Sequence, residues 1–172
     1  ALVIAEAAGA ARVPVRRRSR RSFTAVPGLA AIVRALDELE LSRRAPIAAL
    51  IRGGLLQAAA SSPDALIGAL RRYRGLLRHA ADAAVAGRAP ARAMLRRCVG
   101  RDAGQLVLWP LLATGPEEAE LALGDLARLD GLIDEAARLA GSRDPKYERL
   151  RALLADGQRT LVFTTAVETV AY

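Results

Sequence analysis

Apolar residues recur at helical spacing along most of the chain, beginning after Pro27. The first group of apolar residues lies on one face of a predicted helix, and the neighbouring acidic residues lie away from that face. The apolar residues are Leu29, Ile32, Val33, Leu36 and Leu39. Pro46 begins a second helix, in which two adjacent glycines, each about 1 kcal/mol less favourable than alanine, interrupt the pattern. The apolar residues of this second helix are Ile47, Leu50, Ile51 and Leu55.

The sequence Ser61-Ser62-Pro63-Asp64 predicts the start of a third helix. Ser62 can cap the helix, Pro63 suits the first position because it lacks an N–H, and Asp64 complements the positive end of the dipole. This helix is predicted to run to about Gly87. Its inward residues are predicted to be Leu66, Ile67, Leu70, Leu77 and Ala81.

The second half of the chain also follows a helical pattern. A short helix is predicted at 91–99, and residues 105–112 fit either a strand or a buried helical turn. Thr114 and Glu117 form a capping box that is predicted to open a long helix ending at Gly141. Its apolar residues are Leu121, Leu123, Leu126, Leu129, Leu132, Ile133 and Leu139. Asp144 caps the next helix, with Pro145 at its first position.

The chain ends in an apolar segment that is typical of a buried strand. Residues 160–165 read Thr-Leu-Val-Phe-Thr-Thr and follow Gly157, which closes the preceding helix. We therefore expect a mainly α protein, a bundle of about six helices followed by one strand. Because so apolar a strand needs neighbours that the remaining residues do not supply, we expect the chain to be a piece of a larger protein.

Charge is distributed unevenly along the chain. The net charge is +8, but the first 101 residues carry nineteen arginines against six acidic residues, and the remainder is acidic. A strongly basic surface favours contact with a polyanion. A GC-rich genome would explain the preference for arginine over lysine, but not this asymmetry. The candidate phosphate contacts are Arg16, Arg17 and Arg18 in a basic run, whose alternative is an exposed connector, and Arg71, Arg74 and Arg78 at helical spacing, whose alternative is a solvated helix face.

Several classes of catalytic site are excluded by composition. The chain has one histidine, one cysteine and one lysine, and it lacks a glycine-rich phosphate loop. These residues do not supply an ordinary zinc site or a Cys–His pair, so no catalytic residue, metal site or cofactor is predicted within the chain. A single cysteine suits a reducing compartment, and no apolar run is long enough to span a bilayer. We expect a cytoplasmic protein without membrane contact.

Two segments together resemble a known family. Asp144, Lys146, Leu153-Leu154, Leu161-Val162-Phe163-Thr164, Thr169 and Tyr172 resemble the entry into the second RecA-like lobe of superfamily 2 helicases, especially Swi/Snf-type and RapA-like DNA translocases. The stretches Ser61-Ser62-Pro63-Asp64-Ala65-Leu66 and Arg71-Arg72-Tyr73-Arg74 are similar to the helical segment between the lobes of bacterial members.

The resemblance implies a division into three parts. Residues 1–26 would be a basic segment leaving an upstream lobe, 27–141 a helical inter-lobe region, and 142–172 the truncated start of a C-terminal RecA-like lobe. The second-lobe entry motif would comprise Asp144, Lys146, Val162, Phe163 and Thr164, preceded by a candidate hinge at 141–143.

The same resemblance implies part of an ATP-dependent DNA helicase or translocase. ATP and magnesium would be bound by other parts of the parent protein, and the partners would be DNA and the remainder of the polypeptide. The alternatives are a non-enzymatic helical module that binds nucleic acid or protein, and a helical interaction domain whose arginines reflect genome composition.

Overall fold

The computed structural model describes residues 28–87, 120–142, 144–155, 162–164 and 166–170. These residues are mainly helical, which confirms the predicted fold class at that level. The helices are α1 (Leu29–Asp37), α2 (Ala45–Ser61), α3 (Pro63–Val85), α4 (Leu126–Ala140) and α5 (Pro145–Leu154), with 3₁₀ turns η1 (Leu123–Asp125) and η2 (Val167–Val170).

Several predictions fall outside the described residues. They include the basic run with Arg16, Arg17 and Arg18, the short helix at 91–99, the segment 105–112, and the capping box at Thr114. The count of about six helices is therefore not confirmed. The proposed boundaries of the three parts also stay predictions.

Helix α3 lies at the centre of the packing, against α2 on one side and α4 on another. Its side chains Leu70, Tyr73, Leu76 and Leu77 are wholly buried. The predicted inward face is confirmed for Leu66, Ile67, Leu70 and Leu77, while Ala81 is half-buried. Each fully buried leucine contributes about 2 kcal/mol by removal from water, so this face of α3 contributes strongly to the stability of the described part of the chain.

Two helix starts are confirmed in detail. The Ser62 hydroxyl accepts a hydrogen bond from the Ala65 amide at 3.1 Å, with proline at the first position of α3. The Asp144 carboxylate accepts from the Lys146 amide at 2.8 Å and the Tyr147 amide at 3.4 Å. Ser62 also ends α2, because its own amide bonds to the last turn of that helix. These caps were predictable because they depend on neighbouring residues alone.

The prediction of one continuous helix up to Gly141 is wrong for residues 120–125. Leu121 and Leu123 precede α4 and do not belong to it. Leu121 instead forms an isolated antiparallel bridge with Ser42. The Arg43 amide donates to the carbonyl of residue 120 at 3.0 Å, and the amide of residue 122 donates to the Leu41 carbonyl at 3.2 Å. The backbone of 120–122 therefore bonds to the α1–α2 loop, and those bonds replace helical ones.

A buried carboxylate holds residues 120–125 against the α1–α2 loop. Asp125, only 5% exposed, accepts from the Leu41 amide at 2.9 Å, the Glu40 amide at 3.2 Å and the Tyr73 hydroxyl at 2.8 Å. Leu41 has a left-handed backbone, with φ of 64°, which costs a residue with a side chain about 1–2 kcal/mol. The carboxylate stabilises this strained turn by satisfying its amides, and it ties the turn to the middle of α3.

The predicted buried strand at 160–165 is not confirmed. Its described residues, 162–164, belong to no named strand and are exposed; the Phe163 side chain is 80% exposed. A strand needs a partner for its backbone groups, and the described residues offer none to this segment. The α4 helix ends at Ala140, so the predicted break at Gly141 is confirmed, although Arg143 lies outside the described residues. Among the described helices, none is long and apolar enough to cross a membrane.

Candidate functional site

Helix α3 carries the predicted basic face. Arg71 and Arg78 are exposed and lie two helical turns apart, about 10 Å along the axis. Arg74, one turn from Arg78, is half-buried, and its guanidinium forms an ion pair with Asp130 of α4. Two of the three predicted arginines therefore present exposed side chains to a ligand, while the third is engaged within the protein.

The described residues are formally neutral. They contain thirteen arginine and lysine residues and thirteen acidic residues, so the whole excess of +8 belongs to positions outside them. Residues 28–87 hold eight cations and five acids, and the described residues from 120 onward hold five cations and eight acids. The charge asymmetry seen in the sequence thus persists among the described residues, with opposite signs in these two portions.

Ion pairs join the two portions. Arg72 of α3 pairs with Glu168 of η2, and Arg74 pairs with Asp130. The Arg128 guanidinium also lies 3.9 Å from the Glu38 carboxylate. Such exposed pairs each contribute at most about 1 kcal/mol. Part of the basic character of α3 is therefore matched by acidic side chains of the same chain.

A second cluster of polar contacts lies at the corner between α2 and α3. The Thr169 hydroxyl is 2.9 Å from the Ser61 hydroxyl and 2.8 Å from the Ser62 hydroxyl. The Lys146 ammonium donates to the carbonyls of Ala60, at 3.1 Å, and Ser61, at 2.7 Å. A cation at these carbonyls satisfies acceptors that the end of α2 leaves without helical partners. We call this cluster the corner site: Ala60, Ser61, Ser62, Lys146 and Thr169.

Glu168 docks η2 beside the corner site. Its carboxylate lies against Gly68, where an added Cβ would stand 2.5 Å from Oε1. Burial alone raises the pKa of Glu168, but the hydrogen bond from Arg72, a backbone hydrogen bond and the Arg72 charge together hold that pKa below 4.5. Glu168 is therefore ionised at neutral pH and paired with Arg72.

The residues of the predicted second-lobe motif have different positions. Asp144 is a buried cap and Lys146 belongs to the corner site. Val162, Phe163 and Thr164 are exposed, and the Thr164 hydroxyl bonds locally to Ala166.

Sequence reasoning missed the pairing of Arg72 with Glu168 and the contact of Thr169 with the two serines. The opposite charges of the two halves were the available signal for the first. The hydroxyl contact of Thr169 depends on residues more than 100 positions apart, so spacing gave no indication of it.

No group of histidine, cysteine and acidic side chains suited to a metal ion occurs within the part of the chain that the structure describes. No protein family, curated protein or solved structure matches this chain.

Proposed function

We propose that this chain is part of an ATP-dependent DNA helicase or translocase, in which it links the two motor lobes and contacts nucleic-acid phosphates. The observation that carries the proposal is the corner site. It brings together the two segments that resemble the family, one containing Ser61 and Ser62 and the other containing Lys146 and Thr169. Two motor lobes that open and close around ATP need a connector that is stiff enough to transmit motion and hinged at its ends.

The phosphate contacts in this proposal come from arginine. Arg71 and Arg78 are exposed on α3, and guanidinium groups bind phosphate oxygens through paired hydrogen bonds. Arg16, Arg17 and Arg18 would extend this contact. Arg74 would have to leave Asp130 to take part.

ATP and magnesium would be bound by other parts of the parent protein. ATP hydrolysis would supply the free energy for movement on DNA, and the residues of this chain would position lobes and DNA. We therefore expect no ATPase turnover from the 172-residue chain alone. Turnover that persists after repeated purification would mean that the chain holds a catalytic site. The single cysteine fits a reducing compartment, and we propose the cytoplasm.

Duplex DNA binding at several salt concentrations tests the phosphate contacts. Each lost phosphate contact lowers the slope of log Kobs against log salt by about 0.9, so the double variant Arg71→Ala/Arg78→Ala should lower it by about 1.8. The matched control Arg138→Ala/Arg149→Ala removes two exposed arginines from α4 and α5 and should leave the slope nearly unchanged. Equal losses in both double variants, or binding that is insensitive to salt, would contradict a specific role for α3.

The gene sequence around this chain tests the motor assignment independently. We expect a phosphate-binding loop and an acidic box encoded upstream, and an arginine-containing helicase motif downstream. A stop codon directly after Tyr172 would contradict the assignment.

The neutral charge of the described residues favours one alternative, a helical module that binds a protein partner. Absence of DNA binding together with flanking sequence that lacks motor motifs would support it.

A further inference from the structure

Arg72 stands beside the exposed arginines of α3 but has a different partner. It follows Arg71 directly, and its side chain is 39% exposed while its guanidinium holds the Glu168 carboxylate, which is 32% exposed. Both groups of the pair are thus open to solvent. Arg72 points about 100° away from Arg71 around the helix axis, so a phosphate oxygen would reach its guanidinium from a duplex that extends beyond the face shared by Arg71 and Arg78.

The Glu168 carboxylate lies beside Gly68 of α3. Gly68 lies one turn before Arg72 on the same helix, and any side chain at that position would collide with Glu168 Oε1, at 2.5 Å from the added Cβ. The carboxylate therefore occupies a bare patch of helix backbone next to a guanidinium. Carboxylates and phosphates accept the same paired hydrogen bonds from arginine, so the site fits either group.

Residues 166–170 have further contacts, because Ala166 packs against the hydrophobic core. Thr169 bonds to two serine hydroxyls, and Val170 is 76% exposed. Glu168 provides the one ion pair between η2 and α3 among the described residues. Loss of this pair would leave residues 166–170 held by the Thr169 hydroxyl contacts and by the packing of Ala166.

We propose that a DNA phosphate and the Glu168 carboxylate compete for Arg72, so that DNA binding to α3 releases residues 166–170 from it. The inference rests on the proposed function, because it requires that DNA binds this face. Reciprocity follows from linkage: the factor by which docking of η2 weakens DNA binding equals the factor by which DNA weakens docking. The contact would thereby couple occupancy by DNA to the freedom of the second-lobe entry.

Affinity measurements on the 172-residue chain test the competition. Glu168→Gln removes the competing charge and should bind a fluorescent DNA duplex about fivefold more tightly or better. Arg72→Ala should lower the salt slope by about 0.9, and in an Arg72→Ala background Glu168→Gln should give no further gain. Asp134→Asn removes one exposed carboxylate of α4 and controls for the change in net charge.

A nitroxide on the tail measures release directly. The label is attached to Val170→Cys in a Cys98→Ser background, and its spectrum is recorded with and without duplex. Saturating DNA should mobilise the label, and Glu168→Gln should mobilise it before DNA is added. A label that stays immobile at saturation overturns the inference.

The outcomes separate the inference from the proposed function. If the chain fails to bind duplex DNA at any salt concentration, both are overturned. If binding is weakened by Arg71→Ala/Arg78→Ala but Glu168→Gln behaves like Asp134→Asn, only the competition is overturned.

Discussion

Removal of the Asp125 carboxylate should be the most damaging single polar substitution in the described core. Asp125→Ala leaves the buried Leu41 amide without its acceptor and removes the acceptor of the shorter of the two Tyr73 hydrogen bonds. A buried amide without an acceptor costs about 1–3 kcal/mol, and a lost hydrogen bond to a charged group about 1.5–3 kcal/mol. The Tyr73 hydroxyl keeps a longer bond to the Leu41 carbonyl, at 3.3 Å, and the Glu40 amide lies at the surface side of the turn. We expect a loss of about 4 kcal/mol, a large part of the stability of an ordinary domain.

Urea unfolding followed by helical circular dichroism measures this loss. Asp125→Asn retains one acceptor oxygen and should cost about half as much, and Tyr73→Phe should cost about 2 kcal/mol. Because the two side chains share a hydrogen bond, the double variant Asp125→Ala/Tyr73→Phe should lose at least about 1 kcal/mol less than the sum of the single losses. Asp134→Ala, an exposed position, should change stability by at most about 0.5 kcal/mol.

Two results would refute the reasoning about Asp125. One is an Asp125→Ala protein within about 1 kcal/mol of the original, which would mean that water or a shifted backbone satisfies the Leu41 amide. The other is strict additivity of the two single losses, which would mean that the hydrogen bond to Tyr73 contributes nothing.

Further predictions concern the stability of α3, the docking of η2 and the corner site. Gly75→Ala meets no atom within 4 Å and should stabilise α3 by about 0.5–1 kcal/mol in urea unfolding; Gly68→Ala should give a similar gain while mobilising the nitroxide label, because its Cβ displaces Glu168. The pKa of Glu168 is lowered in the folded protein, so the contribution of its ion pair to docking is complete above pH 4.5 and should be lost as the pH falls through the lowered pKa. The mobility of the nitroxide label should report this loss, and Glu168→Gln should abolish the pH dependence. Lys146→Ala should lower stability by less than about 1 kcal/mol, measured by thermal unfolding, because it removes two exposed hydrogen bonds.

Local signals carried most of the correct predictions. Ser62 and Asp144 were identified as caps because a cap acts on amides two or three residues away. The buried faces of α2 and α3 followed from helical spacing, since burial on one side of a helix imposes that period.

Long-range contacts explain the errors. Leu121 and Leu123 fit a helical pattern, but the Asp125 carboxylate accepts hydrogen bonds from amides more than 80 residues earlier. This contact places residues 120–122 against the loop between α1 and α2, where their backbone is not helical. Likewise, the spacing of Arg74 fits an open basic ridge, but Asp130 of α4 pairs with its guanidinium. Neither partner could be identified from spacing along the chain, because both depend on how α3 and α4 meet.

Ser62 has a mechanical consequence. It is the single residue between α2 and α3, so the angle between the two helices depends on the backbone at this position. The Thr169 hydroxyl contacts the Ser62 hydroxyl there. Helix α3 has 23 residues and is about 35 Å long. A tilt of about 5° at Ser62 moves the far end of α3 by about 3 Å, the length of a hydrogen bond. Arg78 lies about 24 Å from Ser62 along α3, so the same tilt would move it by about 2 Å, enough to lengthen a contact between its guanidinium and a phosphate.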